Sequence, residues 1–590
     1  MGWCEHALMT KGVTCLIDFR FFNFEPTLEV GYRICERTVQ RCPFSHSSTF
    51  GFQPRTSSRG SFEEPDYDLD KPIYIDAVNP SRTVSYNQAR VLVRKLVAGF
   101  RAAGLERGDC VCVHSFNDLY YSILFLGIVA AGGIFAGTNP SYTPFELTHH
   151  LKTSRAKFVI SEPELLDPIY QAAKQCDIPQ SKILVFDLHN QALPGGFHSW
   201  SELLHHGEED WVKFNDKGRS ERTAAALLFS SGTTGLPKAA IITHYNLVAI
   251  HTQMVDVDLV PHEIVRLAYL PMFHAACVPL GHTTPLKSGQ VTLVMRRFDP
   301  KIFLSTIEKF KITDVTVMPP IVHALLASPL TKQHDLTSLK CVICGGAPLS
   351  KERQQQFKML LDKSGTFNQG YGMTETTSCA ARFWWPEDDP TGSVGRFLAN
   401  LDIKIVDNDG NDITGQGAKG ELLLRGPNII PGYYENPAAN AAAFDSDGFF
   451  RTGDIVLCEE GDGVTMTTAK FWIIDRKKDL IKVRGFQVSP AELEAVVLQH
   501  PAVVDVTVIG VAAVEGSQDS RDGEHPRAYV VCHPVKVTEA DIKEWCAQRL
   551  AKYKALSGGV VFVDTIPRNA GGKVLRRLLR EDAAAPTPKL

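Results

Sequence analysis

The sequence predicts an α/β protein with a large N-terminal domain of parallel-rich sheets flanked by helices. A small β-rich, barrel-like subdomain and a small α+β C-terminal domain complete it. Three observations carry this expectation. From Lys71 onward, short apolar strand-like runs alternate with helical patterns, as strands wound in parallel through crossover helices do. Between about residues 395 and 475 the runs shorten and turn-forming residues separate them. From about 480 to 580, strands and helices alternate over a stretch only long enough for a compact unit.

Taken in order, residues 1–60 show little periodicity and end in Arg55–Gly60, which reads as an atypical N-terminal extension. Tyr86–Ala103 and Pro300–Phe310 carry helical spacing; Val111–Val113, Phe158–Ile160, Lys182–Phe186 and Val291–Val294 read as strands. Leu119–Gly137 is apolar for nearly the length of a membrane span. It holds Gly127, Gly132, Gly133 and Gly137 and is bounded by Asn117-Asp118 and Asn139-Pro140. An amphipathic or buried helix turning through glycines into a short strand is therefore expected, not a span. Leu401–Val406 and Gly420–Leu424 are the strands of the β-rich subdomain. After the charged stretch Arg476–Arg484, Ser489-Pro490 with Glu492 opens a helix with a capping-box pattern. The expected domains are 1–60, 61–477 (with 395–475 as the subdomain) and 478–590. No repeat of solenoid length is seen.

Composition excludes several classes. The 590 residues are 44% hydrophobic and 22% charged with net charge −4, so no nucleic-acid surface and no acidic disordered chain is expected. An anionic ligand must then be held by local arrangement of groups. The 14 cysteines lack framework spacing, which implies free thiols and a reducing compartment. Cys341 and Cys344, inside the apolar run Leu339–Cys344, read as small strand residues and not as half a zinc site. The N-terminus lacks a secretory pattern, and His6 stands where a myristoylation signal needs Ser or Thr. The end, Pro588-Lys589-Leu590, approaches the peroxisomal Ser-Lys-Leu address with Pro in place of the small residue. Cytoplasm or peroxisome is the expected location.

The most informative segment follows the apolar strand Ala224–Phe229. It runs Ser230, Ser231, Gly232, Thr233, Thr234, Gly235, Leu236, Pro237, Lys238. Two glycines let backbone N–H groups approach an anion, four hydroxyls donate to it, and Lys238 adds charge. Glycines alone would mark a polar strand-to-helix turn. A Walker loop is excluded, because Pro237 and Ala239 stand where that motif has Gly and Ser or Thr. Downstream come Pro271–His274 (PMFH), Gly370–Glu375 (GYGMTE), Arg451–Asp454 (RTGD), Asp475–Glu492 and Pro567–Lys573 (PRNAGGK). Glu375 offers hard carboxylate oxygen suited to Mg²⁺, and Thr374 can donate to phosphate. By itself Glu375 is also an ordinary helix start. His274 alone reads as a core histidine, Asp454 as an Asx-turn, and Lys573 as a solvated lysine. Gly345-Gly346-Ala347-Pro348 has no bulky side chain and suits a flat adenine ring and the floor of an acyl pocket.

Together and in this order, the motifs resemble the signatures of the adenylate-forming superfamily. Over about residues 70–580 the chain most resembles 4-coumarate–CoA ligases and their fungal and peroxisomal acyl-CoA synthetase relatives. The resemblance implies an acid–CoA ligase using ATP, Mg²⁺ and coenzyme A on a small-molecule carboxylic acid, with a mobile C-terminal domain. It implies that Lys573 catalyses adenylation by bridging carboxylate and α-phosphate, helped by His274 and Thr374. Nucleotide contacts are implied for Ser230–Gly235, Lys238, Gly346, Ala347, Pro348, Gln369, Gly370, Tyr371, Gly372 and Thr374. Asp454 would bind the ribose, with Arg476 as helper. Glu375 and Thr234 would face the metal. Lys478 is implied as the hinge, and Lys482, Gly485 and Phe486 as CoA contacts.

The implied acid pocket comprises His274, Ala275, Ala276, Pro279, Gly345 and Met373. Hydroxycinnamate ligases commonly carry Tyr and Asn in the stretch after His274. Here it reads Ala275, Ala276, Cys277, Val278, Pro279, which leaves room and offers no hydrogen bond to a phenol. Each buried CH₂ is worth about 0.8 kcal/mol, so medium-chain fatty acids or unsubstituted aryl, cinnamate-like acids are expected. Three stretches depart from the pattern: the first 55 residues, Glu459–Lys470 and Ala512–Gly523. Each is either a surface insertion or a gene-model fault. Alternatives from other classes are an adenylation-only enzyme, luciferase-like or serving a carrier protein, and a decayed nucleotide-binding paralogue. The chain ends too soon after its last motif to hold a carrier domain. Retention of Glu375, Asp454 and Lys573 speaks against decay.

Overall fold

The computed structural model describes residues 65–584 except 189–190, 214–215, 231–236, 257–259, 460–467, 478, 484–485, 513–523, 534–536, 551 and 570–571. Two seven-stranded sheets form its larger part. In one, Thr366–Gln369, Cys341–Cys344, Asp314–Val317, Val265–Ala268, Val291–Val294 and Pro72–Asp76 lie parallel, and Thr83–Ser85 closes the edge antiparallel. The other runs His198–Ser199, Ile183–Val185, Ala156–Ser161, Cys110–His114, Ile134–Gly137 and Ala224–Ser230 in parallel, then Lys238–Thr243 antiparallel. The central strands Cys110–His114, Ile134–Gly137 and Ala156–Ser161 are largely apolar and buried on both faces, as parallel strands covered by helices are.

The apolar stretch from Leu119 is a buried helix, Leu119–Ala131. Every side chain but Tyr120 is buried, because the helix packs between helix Tyr86–Ala102 and the sheets. Asp118 caps its start, accepting from the Tyr120 N–H at 3.0 Å, and Gly132 ends it at φ +93°. The chain then enters strand Ile134–Gly137. Among the described residues no helix is long and apolar enough to cross a membrane.

A polar seam joins the sheets. The buried Glu162 accepts from Ser115 Oγ (2.7 Å), the Phe116 N–H (2.8 Å) and Arg296 (2.6 Å). The Asn117 amide donates to the Leu270 and Met295 carbonyls at 2.9 and 3.1 Å and accepts from the Met272 N–H at 2.9 Å. A buried charge holds its place only when paired and hydrogen-bonded in this way.

The β-rich region is a four-stranded antiparallel sheet of Asp402–Val406, Lys419–Arg425, Phe450–Cys458 and Phe471–Arg476. The C-terminal part has a hairpin, Ile481–Val483 with Phe486–Val488, and a sheet of Val503–Ala512, Glu524–Cys532 and Gly559–Phe562. Helices Pro490–Val497 and Glu539–Ala547 cover a core that includes Leu493, Val497, Val508, Val530 and Ile542. Ser489 caps the first of these as expected, accepting from the Glu492 N–H at 3.3 Å. The reciprocal half of the box is replaced, because the Glu492 carboxylate pairs with Lys554.

Candidate active site

The phosphate segment joins two strands and not a strand to a helix. Ala224–Ser230 and Lys238–Thr243 pair antiparallel with Ser230 opposite Lys238, and helix His244–His251 begins only afterwards. Ser231, Gly232, Thr233, Thr234 and Gly235 lie outside the described residues. Both ends of the hairpin rest on helix Pro144–Ser154. His149 Nε2 donates to the Pro237 carbonyl at 2.9 Å, and His150 stacks on Phe229 with ring centroids 3.6 Å apart. Burial pushes the His150 pKa down to about 3, so this ring stays neutral and its stacking is indifferent to pH. Neither histidine is marked by sequence pattern.

Across the sheet ends lies the segment Gly370–Glu375. Gln369 ends strand Thr366–Gln369, but its amide is spent on the Leu349 backbone and Gln354 (2.9–3.1 Å), so it braces the loop that begins at Gly345. Gly372 must be glycine: a Cβ there would lie 1.8 Å from the Ser378 carbonyl oxygen. Thr374–Thr376 form one 3₁₀ turn that buries Thr374 and Glu375. Glu375 Oε1 accepts from the Tyr433 hydroxyl at 2.8 Å. Its second oxygen accepts from no described residue. A buried carboxylate with one oxygen unclaimed by the described residues fits a hard divalent cation, which takes one or two carboxylates and fills its shell with phosphate oxygens and water. Lys238 Nζ lies 5.0 Å from the Tyr433 ring centroid, within cation–π range.

Asp454 lies within strand Phe450–Cys458 at a register shift beside Gly453, whose φ is +71°. That irregularity, not an isolated turn, aims its carboxylate into the site. Asp454 is 3% exposed; Oδ2 accepts from the Tyr371 hydroxyl at 2.6 Å and Oδ1 pairs with Arg476 Nε at 3.1 Å. Burial raises its pKa, against the opposing pull of Arg476.

Lys573 arrives from the C-terminal part on a tight loop. Its N–H donates to Asn569 Oδ1 at 2.9 Å, and Arg568 grips Asp505 through both carboxylate oxygens at 2.9 Å. Gly572, at φ +74°, packs against Met318 and Pro320 of the large part. The Lys573 ammonium lies within electrostatic reach of Arg476, Asp454, Asp479 and Arg576, and burial followed by Arg476 pushes its pKa down to about 8. Glu375 is also among the charges felt by Asp454. Asp454, Arg476, Glu375 and Lys573 thus share one electrostatic site.

His274 hangs from the Asn117 clasp in a turn, with its N–H on the Pro271 carbonyl at 3.0 Å. Its Nδ1 accepts from the Ala276 N–H at 3.2 Å, which leaves Nε2 to carry the proton. Burial lowers its pKa, so the ring is neutral. A small cavity beside it is lined by Gly137, His150, Phe229, Phe273 and Ala275. Ala275 and Val278 pack into the core, Pro279 is buried, and Ala276 is only partly covered. Gly345 donates to the Val317 carbonyl at 3.1 Å, Gly346 turns at φ +83° near Met318, and Met373 is partly buried. Lys478 and Gly485 lie outside the described residues; Lys482 and Phe486 fall on the strands Ile481–Val483 and Phe486–Val488.

Comparison with known proteins gives consistent matches. Residues 63–434 match the family described as AMP-binding enzyme, and residues 492–573 match the AMP-binding enzyme C-terminal domain. The chain is 51% identical over 524 residues to the phenylacetyl-CoA ligase epaB of Aspergillus niger, spanning 88% of this chain and 95% of that protein. It is 50% identical over 522 residues to the acyl-CoA ligase azaF of the same species, spanning 88% and 96%. ATP-bound MatB from Rhodopseudomonas palustris superposes with TM-score 0.78 at 27% identity over 90% of this chain and 99% of that one. The anthranilate CoA ligase AuaEII, in complex with anthranoyl-AMP, shares the fold with TM-score 0.78 at 24% identity over 90% of this chain and 97% of its own.

Proposed function

The chain belongs to the AMP-binding enzyme family, and on that premise we propose that it is an ATP-dependent acid–CoA ligase. The carrying observation is the convergence of Lys573, from the C-terminal part, on Asp454 and Arg476 of the large part. A substrate carboxylate oxygen attacks the α-phosphorus of ATP, the bond to pyrophosphate breaks, and acyl-AMP forms. The CoA sulfur then attacks the acyl carbon and AMP leaves. Charge develops on the phosphoryl oxygens in the first step, where a fixed cation is the effective catalyst. Lys573 supplies it, and the neutral His274 offers its Nε2–H near the reacting carboxylate. Asp454 accepts the ribose hydroxyls with Arg476 beside it, and Lys238 with the Ser230–Gly235 segment grips phosphate. Glu375 would hold Mg²⁺, which neutralises the polyphosphate as pyrophosphate leaves.

We divide the chain into 1–60, 61–477 and 478–590, with Lys478 as the hinge and Lys482, Gly485 and Phe486 toward CoA. The small residues Ala275, Ala276 and Pro279, and the likeness to a phenylacetyl-CoA ligase, favour aryl acids without a ring hydroxyl, with medium-chain fatty acids next. The free cysteines among the described residues support a reducing compartment, cytoplasmic or peroxisomal.

The test is to incubate the protein with ATP, Mg²⁺, CoA and a panel of aryl and fatty acids, and to separate acyl-AMP from acyl-CoA by mass spectrometry. Both products are expected with phenylacetate. Acyl-AMP alone would establish an adenylation-only enzyme, and neither product from any acid a nucleotide-binding paralogue. Lys573→Ala is expected to reduce acyl-AMP formation by about 10²–10³-fold while CoA transfer to preformed acyl-AMP continues. An equal loss in both steps would remove Lys573 from its assigned role.

A further inference from the structure

Glu375 and Lys238 come from separate segments, and one side chain touches both. The Tyr433 hydroxyl donates to Glu375 Oε1 at 2.8 Å, while the face of the same ring lies 5.0 Å from Lys238 Nζ.

The backbone around Tyr433 is itself tied to both partners. The Ile430 N–H donates to the Glu375 carbonyl at 3.0 Å. Gly432 and Tyr434 run beside the strand that begins at Lys238: the Ile241 N–H reaches the Gly432 carbonyl at 3.0 Å and the Tyr434 N–H the Ala239 carbonyl at 2.8 Å. Asn440 clamps Tyr433 on both sides, accepting its N–H at 2.7 Å and donating to its carbonyl at 3.1 Å. Gly432, at φ +155°, admits this approach, since a Cβ there would meet Asn440 Oδ1 at 2.9 Å. The ring therefore has little freedom, and neither do the two groups it contacts.

We propose that Tyr433 is a positioning residue that locks the Glu375 carboxylate and the Lys238 ammonium into a single metal-and-phosphate grip. This rests on the roles given to those two residues above. The hydroxyl fixes which carboxylate oxygen is spent inside the protein and which remains for a cation. The ring fixes Lys238 without competing for its hydrogen bonds. Removing the hydroxyl and removing the ring thus have different consequences.

The test uses the full-length protein, its Tyr433→Phe and Tyr433→Leu variants, and a fluorescent N-methylanthraniloyl ATP titrated in EDTA and in Mg²⁺. Tyr433→Phe keeps the ring, so its affinity in EDTA is expected to stay within about two-fold of the parent, while the gain on adding Mg²⁺ shrinks about ten-fold, the scale of a hydrogen bond to a charged group. Tyr433→Leu is expected to lose a further two- to five-fold or so in EDTA, the scale of a partly exposed cation–π contact. An unchanged Mg²⁺ gain in Tyr433→Phe overturns the proposal, as does equal weakening with and without the metal. Should Tyr433→Leu fail to fold, the Phe variant decides alone. A parent protein that binds the nucleotide yet makes no acyl-AMP would sink the ligase reading and leave this comparison intact.

Discussion

Burial deprives the Lys573 ammonium of water, and Arg476 repels it, so its pKa falls from the ordinary lysine value to about 8. In the role proposed for Lys573 the active form is the protonated one. Adenylation kcat/KM for the acid, followed by pyrophosphate exchange, is therefore expected to decline as pH rises through about 8. Bound ATP and carboxylate favour the cation, so the decline in kcat should lie at higher pH than that in kcat/KM. Lys573→Arg stays charged throughout, and whatever rate it retains should lack this alkaline limb. A limb that persists in the Arg variant would assign it elsewhere. Lys573, Asp454 and Glu375 were legible because each sits in a contiguous motif. Tyr433, Asn117, His149 and His150 were not, because their meaning lies in partners far along the chain. Tyr433 meets Glu375 across 58 positions and Asn117 meets Leu270 across 153, and local periodicity carries no such information.

Elements were legible where apolar spacing was long. Helix Tyr86–Ala102 and helix Pro300–Phe310 fall within one residue of their expected bounds. The second strand of the phosphate hairpin was not foreseen, since a short apolar run such as Ala239–Ile242 fits strand or helix equally. Helix Tyr86–Ala102 also shows what spacing omits: Gly99 is where it meets the turn Trp200–His205. A Cβ at Gly99 would stand 2.0 Å from the Leu203 carbonyl oxygen, and backbone yields less readily than a side chain. Gly99→Ala is expected to destabilise by about 1–3 kcal/mol, as overpacked cores do, and thermal melting should register it. Gly195→Ala, with nothing within 4 Å of the added Cβ, is the control. Equal melting temperatures would show that the helix and turn can separate freely.

At the scale of the whole molecule, the C-terminal part presents Lys573 to the large part through a loop seated on Met318 and Pro320. Three ion pairs flank the expected hinge. Lys477 holds Glu421 of the β-rich sheet at 2.7 Å, while Asp479 holds Arg576 and Arg580 of the C-terminal helix at 3.3 and 3.2 Å. Residue 477 is thus fastened to one part and residue 479 to the other. At this seat stands Gly572, where φ is +74° and a Cβ would lie in ordinary van der Waals contact with Pro320 at 3.4 Å and Met318 at 3.5 Å, so that only a larger side chain crowds them. Gly572→Val adds a left-handed backbone penalty of about 1–2 kcal/mol to that contact. That backbone strain weighs on the loop docked or undocked, whereas the valine methyls crowd Met318 and Pro320 only in the docked state; each 1.4 kcal/mol of such crowding lowers the docked population about ten-fold, and acyl-AMP formation should fall with it. With Lys478 as the proposed hinge, the second half-reaction, assayed from preformed acyl-AMP and CoA, leaves this seat and should keep its rate. Parallel loss in both half-reactions would mean that Gly572 serves folding of the C-terminal part, and that one arrangement of the two parts performs both steps.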